Sequence, residues 1–448
     1  MYHILCLNRQ FQNLSLLNPN TMSIQKDLND LVKDQVISQE TSLQISAWYE
    51  MKKQHSGNRL MIAFGILGGI LVGLGIILII ANQWDNIHKH TQSFLALVPV
   101  LIGVVACGFT ILKKRTDTTW VESSTAFLFL AIGACVGLIA NIYDMPGDAS
   151  SFLLTWMLFG FPLIYVMNSS VASIFFIAGI TNYAGEVGYW NSNLGDPYLY
   201  WLLLAGVLPY YFLLIRNKPD SNFTAVHHWI IPISVAFTLG SVNTTIDMIM
   251  FLVYLTLFGA FYLIGHLPHF KDNFLKNGYL VIGALGSVVT LIIMSFDSFW
   301  VNLNEENLQL ASIVSTPEFL TTIGLIILAT LLLYNHIKSN PWNEIKPVAP
   351  VFLIVALLFF AGLPIILSTI ISNLILLIIG ILTIRGGALN NHLGVMNYGL
   401  IIITMLVISR FFDADINFVI RGVLFILVGI GFFIANYWMV KLRKSNPS

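Results

Sequence analysis

The stretch from Leu60 to Asn82 reads LMIAFGILGGILVGLGIILIIAN and decides the class of this protein. Its residues 60–81 carry no charge and are almost all apolar. A helix of about 20 apolar residues crosses the roughly 30 Å hydrocarbon core of a bilayer, so the stretch predicts a transmembrane helix. Gly65, Gly69 and Gly73 recur every fourth residue and share one helix face, which favours close approach of a second helix in lipid.

The rest of the chain has the same character. Of its 448 residues, 56% are hydrophobic and 10% are charged, whereas about 25% of the residues in a soluble domain are charged. The apolar runs are continuous and lack the alternation of barrel strands, which predicts helices. We therefore predict an all-α fold, a polytopic integral membrane helical bundle that has the lipid bilayer as its partner. The net charge of zero argues against a nucleic-acid partner.

Hydropathy along the chain predicts about fourteen transmembrane helices. Short cytoplasmic loops of membrane proteins are rich in Lys and Arg, and most basic residues after Arg59 fall in alternate loops, such as Lys113, Lys114 and Arg115 after the second span. Both ends of the chain are therefore expected in the cytoplasm. The predicted spans are residues 60–81, 93–112, 125–142, 151–167, 171–190, 199–215, 229–242, 245–265, 279–295, 319–334, 348–362, 365–384, 394–409 and 418–440.

The residues before the first span differ from the rest of the chain. Residues 1–21 are expected to be a disordered tail or the product of a misassigned start codon, because Met22 begins a more convincing protein start. Residues 22–58 predict a cytoplasmic amphipathic helical segment. Ser38 suits the N-cap of its second helix, and Glu40 lies in the first turn, where the helix dipole favours an anion.

The transmembrane domain is predicted at residues 59–440 and is followed by a basic cytoplasmic tail at residues 441–448. Within the N-terminal segment, residues 23–55 either cover loops of the membrane domain or form the binding site of a protein partner. The sequence leaves both alternatives open, and it predicts no particular oligomeric state.

Motifs of soluble enzymes are missing from the sequence, including the phosphate-binding loop, HExxH, GxSxG and GxGxxG. We therefore predict no catalytic residue, no cofactor and no metal site, and a protein that is not an enzyme. His266 and His269 are separated by Pro268, which breaks a helix between them. We interpret this pair, and the neighbouring pair His227 and His228, as loop residues at the interface.

Polar residues near the outer ends of the predicted spans are the most informative side chains, because burying them in a membrane costs free energy. They form either an outer vestibule, with Arg–Asp pairs around a proton- or solute-linked carboxylate, or ordinary interfacial anchors. We call this set the polar rim: Asn82, Trp84, Asp85, Asn141, Asp148, Arg410, Asp413 and Arg421. The glycines predicted to pack helices are Gly65, Gly69 and Gly73 of the first span, against Gly133 and Gly137 of the third.

Two motifs follow one another near the start of the chain. The glycine-rich first span ends in Ile80-Ala-Asn-Gln-Trp-Asp85, and the third ends in Gly137-Leu-Ile-Ala-Asn-Ile-Tyr143, followed by Gly147-Asp148 and Trp156. Over roughly residues 25–190, this order resembles the bacterial family of predicted membrane proteins called domain of unknown function 2157. The resemblance implies a multi-pass protein of a bacterial cytoplasmic membrane, and it supplies no catalytic residue or substrate.

Two functions from different classes fit these observations. Many spans, prolines within five of them and small loops favour a transporter- or permease-like protein or a lipid-handling carrier. The alternative is a non-transporting membrane scaffold or sensor that acts through the N-terminal helices. An intramembrane enzyme that acts on lipid-linked substrates ranks last, because the sequence has no paired carboxylates and no nucleophile–base spacing.

Overall fold

A computed structural model describes residues 28, 31–82, 88–190, 198–242, 247–270, 274–305, 314, 316–339, 346–390 and 392–411, and short helical stretches at 418–419, 422–423, 426–427, 429–431, 433–434 and 437. None of these residues lies in a β-strand. The helices, in chain order, are α1 (Gln39–Asn82), α2 (Lys89–Lys113), α3 (Thr118–Ile142), α4 (Ala149–Val166), α5 (Ser170–Gly185), α6 (Leu199–Asn217), α7 (Asn222–Leu239), α8 (Asp247–Gly265), α9 (Gly278–Met294), α10 (Asp297–Glu305), α11 (Pro317–Ser339), α12 (Val351–Phe360), α13 (Ile365–Leu389) and α14 (Leu393–Phe411).

Among the described residues, nine helices are long and apolar enough to cross a membrane, and the bent pair α9–α10 would make a tenth. A chain in hydrocarbon must pair its backbone N–H and C=O groups internally, which the α-helix does within one segment. The prediction of an all-helical membrane protein with several spans is therefore confirmed. A helix also lies over each of the first thirteen predicted spans.

The chain divides into two compact units, residues 1–134 and residues 135–448. In the first unit, α1 begins where the sequence predicts, because Ser38 Oγ accepts the backbone N–H of Thr41 at 3.1 Å. The helix then continues to Asn82. The sequence pattern, in contrast, divides the N-terminal segment from the first span at residue 58. No proline lies between residues 39 and 82, so nothing covalent interrupts the backbone hydrogen bonds of the helix.

The glycines of α1 lie against α3 within the first unit. A Cβ on Gly65 would lie 2.6 Å from Ser123 Oγ, and a Cβ on Gly69 would lie 3.1 Å from the Ser123 carbonyl oxygen. A Cβ on Gly73 would lie 3.8 Å from Leu130 Cβ. The helices therefore approach most closely at the first two glycines. In the same unit, α2 contacts α3 through Gly103, where an added Cβ would lie 3.0 Å from Leu128 Cα.

The contact of Gly133 and Gly137 with the α1 glycines stays a prediction. Gly133 is buried, and the residues of α3 nearest the α1 glycines are Thr119, Ser123, Phe127 and Leu130. Gly137 belongs to the second unit, where an added Cβ would lie 3.4 Å from Phe152 Cε2 of α4.

The second unit is built around α8. Over the apolar 18-residue stretch of this helix, 72% is buried. This helix packs against α9, α11 and α12. Close approach to α9 requires a glycine at position 283, because a Cβ there would lie 2.7 Å from the Phe258 carbonyl oxygen. The α13–α14 hairpin also packs against α9, and the Tyr398 hydroxyl donates to the Ala284 carbonyl at 2.7 Å.

Two interruptions of helices in the second unit shape the candidate site. The axes of α9 and α10 differ by 75° across a short break. The segment between α12 and α13 contains Gly362, with a φ of +60° that favours glycine, and Pro364, which has no N–H for a continuing helix. Both interruptions fall at the ends of predicted spans.

Candidate functional site

The described members of the polar rim lie on different elements. Asn82 is the last residue of α1 and Asn141 is exposed in the last turn of α3. Asp148 is the N-cap of α4 and accepts the backbone N–H of Ser151 at 3.0 Å and the Ser150 hydroxyl at 2.8 Å. The remaining predicted members, Trp84, Asp85, Asp413 and Arg421, lie outside the described residues.

Hydrogen bonds explain the acidity of Asp148. Its carboxylate is bonded first by Ser151, through the side chain and the backbone, and then by the Ser150 hydroxyl. These donors stabilise the charged form and lower the pKa of Asp148 from 3.8 to about 2. The described contacts therefore give this carboxylate the role of a helix cap.

Arg410 lies at the end of α14 and contacts the bend between α9 and α10. Its Nη2 donates to Ser295 Oγ at 3.0 Å, and its guanidinium carbon lies 4.4 Å from the centre of the Phe296 ring. A cation over an aromatic face is attracted by the ring quadrupole. The sequence predicts Arg410 as a rim residue, and the structure places it where three helices meet.

The bend itself is fixed by side chains from other positions. The last carbonyls of a helix have no partner within the helix. Here Trp300 Nε1 of α10 donates to the Met294 carbonyl at 2.8 Å, and Asn373 Nδ2 of α13 donates to the Ser295 carbonyl at 2.9 Å. Three side chains from α10, α13 and α14 therefore hold the turn between α9 and α10.

A cavity of about 870 Å³ lies between α10, α11 and the α12–α13 break. Its volume falls in the range of roughly 300–1,000 Å³ that is usual for sites of small molecules. None of the described lining residues is charged. They are Trp300, Leu303, Asn304, Phe319, Ile323, Leu358, Phe359, Phe360, Gly362, Leu363, Pro364, Ile365 and Ser368.

The cavity has a buried wall and an exposed edge. Trp300, Leu303 and Ser368 are among the buried residues of the wall. Phe360 and Leu363, beside the break, are exposed. Asn304 and Ser368 supply polar side chains in this otherwise mainly apolar lining. Such a surface can bind an apolar group and hydrogen-bond a small polar one, and the described lining contains no acid–base pair for catalysis.

Sequence reasoning missed this cavity, although two signals for it are visible. Gly362-Leu-Pro364 marks a break between two apolar stretches, where the sequence predicts only a very short connection. Residues 297–305, with Phe299, Trp300 and Leu303 among polar neighbours, mark a short amphipathic helix after the ninth span. Neither signal alone indicates that the two elements line one space.

A second polar cluster joins α5 to α7, and it corrects the interpretation of His227 and His228 as loop residues. Both histidines are buried within α7. His227 Nδ1 lies 2.7 Å from the Phe223 carbonyl, so this nitrogen carries the hydrogen and Nε2 accepts the Ser173 hydroxyl at 2.9 Å. The Ser173 and His227 side chains are both fully buried, which favours a packing role over reaction with a substrate.

The cluster continues along the same helices. The hydroxyls of Ser170 and Tyr210 are 2.9 Å apart. Ser234 Oγ lies 2.5 Å from Thr181 Oγ1 and 2.6 Å from the Tyr200 hydroxyl. These bonds connect α5, α6 and α7 in surroundings where polar groups need internal partners.

The described residues contain no group of three or more His, Cys, Asp or Glu side chains placed to hold a metal ion. The fold and these sites define a class, the multi-pass helical membrane proteins. Within that class, residues 29–173 match the family described as predicted membrane protein, DUF2157. The match confirms the resemblance predicted from the sequence.

Comparison with curated proteins and with solved structures gives no match. The range that matches the family ends in the first turn of α5. The cavity, whose lining begins at Trp300, lies beyond that range. Its interpretation therefore rests on its own chemistry.

Proposed function

We propose that this protein is a carrier, transporter- or permease-like or lipid-handling, in the cytoplasmic membrane of a bacterium. The observation that supports a carrier is the cavity at the α12–α13 break. Interrupted helices often line the ligand sites of membrane carriers, because the irregular backbone is tolerated where it faces a cavity. The family match supports the membrane location.

The proposal includes fourteen spans with both ends in the cytoplasm. Its support is the alternation of basic and acidic loops along the sequence. Single cysteines at Thr116 and Gly147, in a chain otherwise free of cysteine, test the orientation of the chain. An impermeant thiol reagent added outside intact cells should label the Gly147→Cys protein and not the Thr116→Cys protein. The opposite pattern would reverse the orientation.

Flux in proteoliposomes tests the carrier itself. The purified full chain is reconstituted, and transfer of a fluorescent phospholipid between leaflets is measured beside uptake of a panel of neutral solutes. Ser368→Trp should lower the flux several-fold, because Ser368 is a buried residue of the cavity wall. Ile366→Trp is the matched control, since Ile366 is 75% exposed and does not line the cavity.

A correctly oriented and well-folded preparation without flux of any of these molecules would contradict the carrier. So would equal loss of flux in the two tryptophan variants, because the cavity would then have no special role.

One observation favours the scaffold or sensor as a second candidate. The helix α1 continues without a break from Gln39 to Asn82, so a force or partner acting on its first turns would act on the first span. Leu43, in these turns, is 66% exposed. Deletion of residues 23–55 should then abolish both the cellular phenotype and the set of co-purifying partners, and unchanged results would exclude this role.

A further inference from the structure

We propose that the ligand of the cavity is the hydrocarbon chain of a membrane lipid, which enters sideways from the bilayer between α11 and the α12–α13 break. This inference rests on the proposed carrier function and names its substrate class. The lipid headgroup stays outside the cavity, at the level of the membrane surface.

The cavity wall is mainly apolar. Trp300, Leu303, Leu358 and Phe359 are buried and line the cavity with aromatic and aliphatic carbon. The indole N–H of Trp300 is already bonded to the Met294 carbonyl, so this ring is held in place by α9. A hydrocarbon chain that enters from the bilayer exchanges contacts with other acyl chains for contacts with these apolar side chains, so none of its carbon is exposed to water.

The described lining of the cavity also carries no charge. An ionic group moved from water into an apolar space without a paired charge loses its hydration and gains little in return. Arg410 does not appear in the described lining, and it contacts Ser295 and Phe296. The described lining therefore favours an uncharged group over a phosphate or carboxylate headgroup.

The exposed edge of the cavity indicates the direction from which the lipid chain enters. Ile323 of α11 is 39% exposed, and Phe360 and Leu363 at the break are 44% and 37% exposed. These apolar side chains line the cavity and are also partly exposed. A route past them leads to surface that favours hydrocarbon over water.

The surrounding surface is apolar as well. Exposed apolar side chains also occupy α11, α12 and α13, as expected for helices in contact with acyl chains. They include Leu320, Ile327, Leu331, Ile354, Leu357 and Ile370. The molecules present at such a surface in a bilayer are lipid chains, which makes them the occupants with direct access.

The polar side chains of the lining fit the same occupant. Ser368 lies in the buried wall, and Asn304 is exposed near the end of α10. Asn304 can hydrogen-bond the ester or hydroxyl group that links a lipid chain to its headgroup. This arrangement places the chain in the wall region and the linkage at the cavity mouth.

Photocrosslinking in lipid nanodiscs tests the proposal. The full chain is incorporated with phosphatidylcholine that carries a diazirine either in the acyl chain or in the headgroup, and adducts are mapped by mass spectrometry. The acyl-chain probe should label peptides that contain residues 300–304 and 358–368 several-fold more than the headgroup probe. Equal labelling, or preference for the headgroup probe, would overturn the proposal without any variant.

Variants localise the labelled site. Ser368→Trp should reduce labelling of residues 300–304 by the acyl-chain probe several-fold, whereas Ile366→Trp should leave it unchanged. Leu303→Trp offers a second way to fill the space from α10 if the first variant folds poorly. Unchanged labelling in both cavity variants, with the fold intact, would show that the chain lies elsewhere.

The outcomes separate this inference from the carrier function. Acyl-chain labelling without any flux keeps the ligand class and removes the carrier. Flux of a neutral water-soluble solute without acyl-chain labelling keeps the carrier and overturns the ligand class.

Discussion

Arg410 Nη2 lies 3.0 Å from Ser295 Oγ and connects the end of α14 to the bend between α9 and α10. The two residues are separated by 115 positions in the sequence. The carbonyl of the same serine accepts a hydrogen bond from the side-chain amide of Asn373 in α13. Because α10 carries Trp300 and Leu303 into the cavity wall, this bond helps to set the shape of the cavity.

The contribution of this bond can be measured in a double-mutant cycle. Arg410→Met and Ser295→Ala should show a coupling energy of about 1–2 kcal/mol in the free energy of unfolding, because hydrogen bonds to charged groups contribute about that much. Unfolding of purified protein in mixed micelles by added sodium dodecyl sulphate provides the measurement. Additive effects of the two substitutions would show that the bond contributes nothing.

The indole N–H of Trp300 gives a second prediction. Trp300→Phe keeps an aromatic ring in the wall but removes the donor to the Met294 carbonyl, and Met294 is fully buried. We expect the free energy of unfolding to fall by about 1–3 kcal/mol, the cost of a buried polar group without its partner.

Trp120→Phe is the control for this substitution, measured in the same micelles. Trp120 is 44% exposed, and it packs against Phe109 with ring centres 5.5 Å apart, a contact that a phenylalanine ring can retain. A similar loss of stability in both variants would assign the effect to ring size instead of the hydrogen bond.

Neighbouring glycines of α1 give a third prediction. A Cβ on Gly69 would lie 3.1 Å from the Ser123 carbonyl oxygen, whereas a Cβ on Gly68 would meet nothing within 4 Å. Gly69→Leu should therefore destabilise the first unit by about 1–3 kcal/mol through overpacking. Gly68→Leu should be tolerated, because it adds the same side chain on an open face.

Size-exclusion elution and heat resistance of the two leucine variants provide the readout. Normal folding and abundance of the Gly69→Leu protein would refute the proposed packing role of this glycine face.

The fourth prediction concerns the pH dependence of Asp148. Its pKa is lowered from 3.8 to about 2 in the folded protein, so folding favours the charged form. The stabilisation is complete above the unfolded pKa of 3.8 and is lost as pH falls toward 2. Asp148→Asn keeps a good N-cap residue and removes this titration.

Thermal unfolding of both proteins between pH 5 and pH 2 measures the difference. Other carboxyl groups titrate in the same range, so the informative quantity is the gap between the two curves. The wild-type protein should lose more stability on acidification than the variant. Parallel curves would mean that the described hydrogen bonds of Asp148 do not persist in solution.

Local signals in the sequence were sufficient for several features of the structure. Ser38 was identifiable as an N-cap because a hydroxyl before a helix accepts a backbone N–H a few residues later. The glycine face of α1 was readable because residues four apart lie on one side of a helix. The residues of α3 that lie nearest Gly65, Gly69 and Gly73 are Thr119, Ser123, Phe127 and Leu130, and the sequence alone did not identify them.

The polar rim illustrates the opposite case. Asp148 and Arg410 are similar in the sequence, each a charge near the end of a predicted span. In the structure, the first caps its own helix and the second binds a turn more than a hundred residues earlier. Local sequence predicts a cap because donor and acceptor are neighbours, and it carries no information about a partner on another helix.

The sequence by itself determined that this protein is helical and membrane-embedded, because a long apolar stretch such as residues 60–82 must satisfy its backbone within its own helix. Only the tertiary structure decided that Trp300, Asn373 and Arg410 converge on one bend. It likewise decided that α10 and the α12–α13 break share one cavity. Hydropathy shows which residues avoid water, whereas the packing of distant helices decides which of them meet and where space remains between them.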